Sequence, residues 1–333
     1  MTTPASNRRD DPLDLTAGVR RGEAAKVARV LSLVEAGDAA ARSIVGSLTA
    51  DGGRAYTIGI TGAPGAGKSS LTDRLIGVIR AADESVAVLA VDPSSPRTGG
   101  AILGDRVRMG AHATDPGVFI RSMATRGHLG GLAAATPEAI RVLDASGTPW
   151  ILVETVGVGQ VELDIASATD TTVVVLNPGW GDGVQANKAG LLEVADVFVV
   201  NKADRDGVDA TVRDLLSMLE LTHGASWAPP IVATVATTGA GADELWDAIL
   251  AHREHLTATG LLEHRRDERL RNEIREMVKA HLLRLAIART DGPRFDAIVA
   301  EELRSSADPH CVAERVVADI VGGTTGGPGA PAR

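Results

Sequence analysis

Gly62-Ala63-Pro64-Gly65-Ala66-Gly67-Lys68-Ser69 is the stretch that decides how this chain is read. It fits G-x-x-x-x-G-K-[ST], and by residue frequencies a chance match in a chain this long is on the order of 1%. The surroundings are those the motif requires. An apolar run, Ile58 to Thr61, leads into it, and Leu71, Leu75, Ile76 and Ile79 follow at helical spacing. The residue types answer to phosphate chemistry. Glycines let the backbone curl so that successive N–H groups point inward as anion donors, and the following helix adds its positive N-terminal end. Lys68 brings an ammonium to β- and γ-phosphates, Ser69 brings a hydroxyl to Mg²⁺, and Ser70 completes the phosphate-binding stretch. The plain alternative is a Gly-rich turn carrying an exposed lysine; the strand before it and the helix after it speak against that.

Working outward, short apolar runs recur at Tyr56–Thr61, Val86–Val91, Val118–Arg121, Trp150–Val153, Thr171–Leu176, Val197–Val200 and Ile231–Thr234. Several lack polar alternation, which means burial on both faces. Helical stretches lie between most of them. This rhythm predicts an α/β domain over residues 54–250, built on a doubly wound, mostly parallel sheet. Residues 13–53 read as an N-terminal helical extension: Val27, Val30, Leu31 and Val34 share one helix face, Gly37 is a stop, and Asp51-Gly52-Gly53 turns into the sheet domain. Residues 251–321 read as a C-terminal helical arm. Leu270, Ile274, Met277, Val278, His281 and Leu285 form a stripe there that needs a partner surface, its own domain or a second copy. Phe295–Arg304 and Val312–Val321 read as further helices. Residues 1–12, polar, and 322–333, rich in Gly, Pro and Thr, are expected to be disordered.

Three acids follow apolar runs or Gly-rich loops near the expected ligand edge of the sheet. Asp92 ends the second run, where open parallel sheets bind ligands; capping a turn is its ordinary alternative. Asp105 follows the loop 98–104 and could instead be a solvent-exposed loop acid. Glu154-Thr155-Val156-Gly157 stands where P-loop GTPases carry D-x-x-G, so Glu154 can hold a metal-bound water and the Gly157 N–H can sense a γ-phosphate. Ser69, Asp92, Asp105 and Glu154 are therefore the candidate metal residues. Asn201-Lys202-Ala203-Asp204 matches N-K-x-D, about 140 residues after the phosphate loop and in the right chain order. The Asp204 carboxylate can accept from guanine N1–H and N2–H₂, donors that adenine lacks in that geometry. Lys202 can lay its stem on the base plane, while Asn201 is expected to tie neighbouring loops together. Val235-Ala236-Thr237 occupies the place where backbone N–H groups meet guanine O6.

The formal net charge is −9, with 44% hydrophobic, 23% charged and 2% aromatic residues. An acidic chain without clustered Lys and Arg is a poor nucleic-acid binder. No apolar run approaches the ~20 residues of a membrane helix, no secretory signal is visible in residues 1–12, and the lone Cys311 permits no disulfide within the chain. A cytoplasmic protein is expected.

The combination of Gly62–Ser70, Val91-Asp92-Pro93-Ser94-Ser95, Glu154-Thr155-Val156-Gly157-Val158-Gly159-Gln160, Asn177-Pro178-Gly179-Trp180-Gly181-Asp182 and Asn201–Asp204 resembles the methylmalonyl-CoA-mutase-associated G proteins, the MeaB or ArgK type, over roughly residues 13 to 320. The resemblance implies a homodimeric, Mg²⁺-dependent GTPase with flanking helical extensions and a C-terminal dimerisation arm. It implies a chaperone that gates cofactor delivery to the adenosylcobalamin-dependent mutase and protects it from inactivation, with a cobalamin adenosyltransferase as a further candidate partner. Cobalamin itself is expected on the partner, not on this chain. In the family the segment matching 178–188 is an extra switch loop, which makes Gly179, Gly181, Asp182, Gly183 and Lys188 candidate switch residues. Lys68, Asp92, Asp105, Glu154 and Lys188 are the candidate catalytic residues.

Three other functions compete with this reading. A P-loop kinase, suggested by an older transport-kinase naming of similar proteins, needs an acceptor-positioning base and an acceptor pocket, and neither is apparent. A nickel-delivery GTPase needs Cys/His clusters, whereas His252 and His255 make only a pair. Direct cobalamin binding would need D-x-H-x-x-G; Asp308-Pro309-His310-Cys311-Val312-Ala313 lacks the final glycine.

Overall fold

The computed structural model of the protein describes residues 11–92, 112, 114–124, 135–155, 161–179, 190, 193–220, 226–290, 292, 295–297, 299–300 and 308–322. The chain divides into two compact units at Arg265 and Arg266.

The first unit opens with three helices, α1 (Pro12–Arg20), α2 (Ala24–Ala36) and α3 (Ala39–Leu48). Each has a local reason to start or stop. The Asp11 and Asp38 side chains accept from the N–H groups of Leu13 and Ala40, Pro12 takes the first helical position, and Gly37 ends α2 with φ +66°. The sheet elements follow: β1 (Tyr56–Gly62), α4 (Lys68–Ala81), β2 (Val86–Asp92), β3 (Val118–Ala124), α5 (Thr136–Ala145), β4 (Trp150–Thr155), α6 (Val161–Ala168), β5 (Thr171–Leu176), β6 (Val197–Asn201), α7 (Val208–Leu219), β7 (Ile231–Thr234) and α8 (Ala242–Ala258).

All seven strands pair in parallel, in the order β3-β2-β4-β1-β5-β6-β7. From β1 the chain moves outward to β2 and β3, returns with β4 beside β1, then proceeds to β5, β6 and β7. That reversal places the carboxyl ends of β1, β4 and β5 side by side at a switch point, where ligands bind in sheets of this kind.

Alternation along the strands sorts the core into layers. Ile58, Ile60, Val88, Leu152, Val173 and Val199 face α4 and α8, against Leu71, Leu75, Ile76, Ile79, Leu245 and Ile249. Ala87, Leu89, Val91, Ile151 and Val153 face the other way, into a cluster with Leu15, Val30, Leu31, Ile44 and Leu48 of the N-terminal helices and Val142 and Leu143 of α5. The segment expected as an extension therefore shares the sheet's own core. Val174, Leu176, Phe198 and Val200 pack on α7. Gly59 lets α6 approach β1 closely: a Cβ there would lie 2.6 Å from Ile165 Cγ1 and Thr169 Oγ1.

The sheet unit runs past Leu250. Helix α8 continues to Ala258, with His252 and Leu256 buried. His252 Nδ1 pairs with Thr171 Oγ1 at 2.8 Å, which also meets the Tyr56 hydroxyl at 2.6 Å. Burial pushes the Tyr56 phenol well above its ordinary pKa. Arg265, on the first turns of α9 (Leu261–Thr290), donates to Asp196 at 3.1 Å. These contacts lie at the amino ends of β1, β5 and β6, away from the ligand edge.

The second unit holds most of α9, followed by α10 (Pro309–Gly322). On α9, Leu270, Ile274, Met277, Val278, Leu282, Leu283 and Ile287 are about half exposed, from 48% to 61%. The Asp308 side chain caps α10 by accepting from the His310 N–H. Of the expected helix 295–304, residues 298 and 301–304 lie outside the described residues.

Candidate functional site

The phosphate loop leaves β1 at Gly62. A Cβ at this residue would stand 2.0 Å from the Val175 carbonyl oxygen of β5, and φ is +135°, so only glycine fits. Gly65 and Gly67 also take positive φ, +74° and +94°, and Gly67 is the N-cap of α4. Lys68 and Ser69 are the first two residues of that helix, and both are buried. Lys68 Nζ donates to the carbonyls of Gly62 at 2.8 Å and Ala63 at 3.0 Å, so the ammonium is held within its own loop. Ala63, Pro64 and Gly65 are exposed, which leaves the loop's outer surface open to solvent.

Glu154 meets this loop at the end of β4. Only 4% of it is exposed. The Ser69 hydroxyl donates to Oε1 at 2.5 Å, and Thr72 Oγ1 lies 2.9 Å from Oε2 and 3.0 Å from the Lys68 carbonyl. Ser69 and Glu154, both expected at the metal, thus stand in direct contact. Their donor atoms are a hydroxyl and a carboxylate, the hard oxygens that suit Mg²⁺, which takes one or two carboxylates and leaves the rest to substrate phosphates and water. Among the described residues no group of three His, Cys, Asp or Glu comes together. Asp92 closes β2 with its backbone level with Ala124 of β3; its side chain, like Asp105 and Gly157, lies outside the described residues.

The base motif stands at the end of β6. Asn201 is buried and makes three bonds. Its Nδ2 donates to the Ala66 carbonyl at 2.8 Å, and its Oδ1 accepts from Thr234 Oγ1 and the Ala236 N–H, both at 3.1 Å. One side chain therefore ties the phosphate loop to the loop after β7. A Cβ on Gly67 would sit 2.2 Å from Asn201 Nδ2, which is a second reason for glycine there. Lys202 adopts φ +62° and sends Nζ back to the Gly65 carbonyl at 2.6 Å. Asp204 is exposed on the same turn. Val235, Ala236 and Thr237 follow β7, and of these Ala236 donates its N–H to Asn201.

Two residues that sequence reasoning missed belong to this site. Thr72 anchors Glu154. Its signal was present: it shares the i, i+3, i+4, i+7 face of Leu75, Ile76 and Ile79, a polar residue on a buried stripe. Arg74 donates to the carbonyls of Ala236 and Thr237, and no local pattern points to it. Of the expected switch residues, Gly179 is described; its N–H donates to Thr211 Oγ1 of α7 at 3.1 Å. Gly181, Asp182, Gly183 and Lys188 lie outside the described residues.

Comparisons with known proteins point to one family. A family model described as methylmalonyl Co-A mutase-associated GTPase MeaB matches residues 27–291. The chain is 48% identical over 314 residues to a protein of Pyrococcus abyssi whose name assigns it as a GTPase, covering 93% of this chain and 97% of that one. It is 35% identical over 287 residues to the GTPase ArgK of Escherichia coli, covering 83% and 86%. A crystal structure named LAO/AO transport system kinase superposes with a TM-score of 0.69 at 25% identity, over 96% of this chain and 99% of that one.

Proposed function

We propose, from the premise that this chain belongs to the MeaB family of GTPases, that it spends GTP hydrolysis on the care of an adenosylcobalamin-dependent methylmalonyl-CoA mutase. It gates loading of the cofactor and protects the mutase from inactivation; the cobalamin stays with the mutase, and a cobalamin adenosyltransferase is a second partner. The observation that supports the GTPase part of this reading best is the convergence of the phosphate loop, Glu154 and the Asn201–Asp204 turn on one edge of the sheet, held together by Asn201; the mutase part rests on the family match.

In this reading the N–H groups of the loop and the Lys68 ammonium bind the β- and γ-phosphates. Ser69 and Glu154 hold Mg²⁺, with Asp92 and Asp105 as further acids. Mg²⁺, when bound, offsets charge on the phosphate oxygens. Asp204 accepts from guanine N1–H and N2–H₂, and the Lys202 stem covers the base. Gly157 senses the γ-phosphate. The segment from Pro178 to Lys188 carries the response to the mutase, with Asp182 and Lys188 as its working residues. The half-exposed apolar face of α9 forms a homodimer.

Co-purification with methylmalonyl-CoA mutase tests the reading, once with GDP and once with a GTP analogue, each with Mg²⁺ and with EDTA. The expected result is capture that depends on the nucleotide and a hydrolysis rate raised by the mutase. No capture in any nucleotide state would overturn it.

A further inference from the structure

Arg74 belongs to none of the motifs, yet it grips the loop that follows β7. It stands on α4, and from there Nε donates to the Ala236 carbonyl and Nη2 to the Thr237 carbonyl, both at 2.8 Å. A guanidinium delivers two bonds in a fixed fork, so it fixes the direction of two peptide planes and not only their distance.

Most N–H groups of the same loop are already spent. Val235 donates to the Ala240 carbonyl at 2.9 Å and Ala236 to Asn201 Oδ1 at 3.1 Å. Thr238 and Gly239 both donate to the Val235 carbonyl, at 3.0 and 2.9 Å. Between 235 and 239, the Thr237 N–H is the one with no protein acceptor among the described residues, and Thr237 is exposed. Of the three residues expected to meet guanine O6, only this one has its donor to spare.

The Thr237 N–H and the Ala236 carbonyl are the two ends of a single planar, trans peptide unit, and they point in opposite directions. Whatever holds the Ala236 oxygen aims the Thr237 hydrogen. We infer that Arg74 is a specificity-determining positioning residue: by holding the Ala236–Thr237 peptide, it aims the Thr237 N–H at the O6 atom of a guanine base. The inference rests on the reading of Asn201–Asp204 as the guanine site and adds the O6 side of that recognition.

The test compares three nucleotides on the full chain, by calorimetry with Mg²⁺ present. GDP has O6 and both donors that Asp204 reads. IDP keeps O6 and lacks N2–H₂. 6-Thio-GDP keeps both donors and replaces O6 by sulfur, a weak acceptor. Arg74→Ala should weaken GDP and IDP by the same factor, about 3- to 10-fold, the net worth of one hydrogen bond, and 6-thio-GDP by less than about 2-fold. Arg74→Lys, which can still reach one carbonyl, should recover part of the GDP loss. Equal weakening of all three nucleotides would make Arg74 a merely structural residue and overturn the inference, as would no weakening at all. If the underlying guanine site is misread, wild-type protein will bind ADP as well as GDP, which is visible before any variant is made.

Discussion

Thr72→Val tests the metal side of the site with a change of one atom type and almost no change of shape. Thr72 is fully buried, and its hydroxyl lies 2.9 Å from a Glu154 oxygen. A hydrogen bond to a charged group contributes about 1.5–3 kcal/mol. The single proton is shared with the Lys68 carbonyl at 3.0 Å, which places the expected loss toward the lower end, about 1.5–2 kcal/mol. For a unit of this size that is a fall in Tm of about 3–4 °C. The stability readout is nucleotide-free thermal unfolding. The site-specific readout is the Mg²⁺ concentration that half-saturates hydrolysis, which should rise because Glu154 loses one of its two orienting hydroxyls, while GDP affinity in EDTA stays the same. Thr72→Ser keeps the hydroxyl and should restore the Mg²⁺ requirement. A valine variant that melts within about 1 °C of wild type and needs no more Mg²⁺ would refute the role assigned to Thr72.

Further outcomes are expected. Lys68→Ala should abolish GTP hydrolysis and weaken nucleotide binding, since the β/γ-phosphates lose their nearest fixed cation; undiminished turnover would sink the phosphate-loop assignment. Asp204→Asn should lower GTP affinity by about 1–3 kcal/mol or more, because an amide donor then faces a guanine donor, and should shift preference towards XTP, whose carbonyl the amide can meet; competition binding that shows normal GTP affinity and no XTP gain would reduce Asp204 to a turn residue. A chain ending at Arg265 should be monomeric by light scattering and still bind GDP, and a persistent dimer would place the interface off α9. Lys188→Ala should reduce the mutase-stimulated rate of hydrolysis more than the basal rate, and equal effects on both would argue against a switch role.

The inner strands were legible because parallel strands buried on both faces read as unbroken apolar runs; the edge runs Val118–Arg121 and Ile231–Thr234 are only partly buried but also became strands. Where observed strands extend further, the added residues are Gly62, Asp92, Thr155 and Asn201 among others. These four, polar or glycine, fall outside an apolar pattern and stand at the carboxyl ends of their strands. The 62–69 loop and the Asn201–Asp204 turn stood out in the sequence for a related reason: each is a short stretch whose residue types the expected ligand would dictate. What could not be read was the wiring between stretches. Asn201 reaches Ala66 across 135 positions and Arg74 reaches Ala236 across 162, and no local periodicity encodes either pair. The N-terminal helices show the same limit. Their apolar faces were plain, but that those faces cover β2 and β4 is a property of the packed chain.

Register gives the length of the Glu154 side chain a physical reason. In the parallel pairing of β1 and β4, Glu154 lies beside Ile60, two residues before the loop opens at Gly62. At about 3.3 Å per residue, its backbone starts roughly 7 Å below the loop. The next residue cannot take over, because successive side chains alternate between faces: the Thr155 hydroxyl donates to Thr61 Oγ1 at 3.1 Å, on the α6 side. Residue 154 is thus the last position of β4 whose side chain points towards α4, and it must span the remaining distance alone. Removing one methylene would withdraw the carboxylate by about 1.5 Å. The 2.5 Å contact with Ser69 and the 2.9 Å contact with Thr72 would then both pass beyond hydrogen-bond range. The longer side chain carries an additional rotatable bond, and that freedom would blur the carboxylate's position. Two hydroxyls one helical turn apart, on Ser69 and Thr72, take one oxygen each and remove it. Glu154 and Thr72 are therefore one device: the glutamate supplies the reach that the register demands, and the threonine restores the precision that the reach would cost.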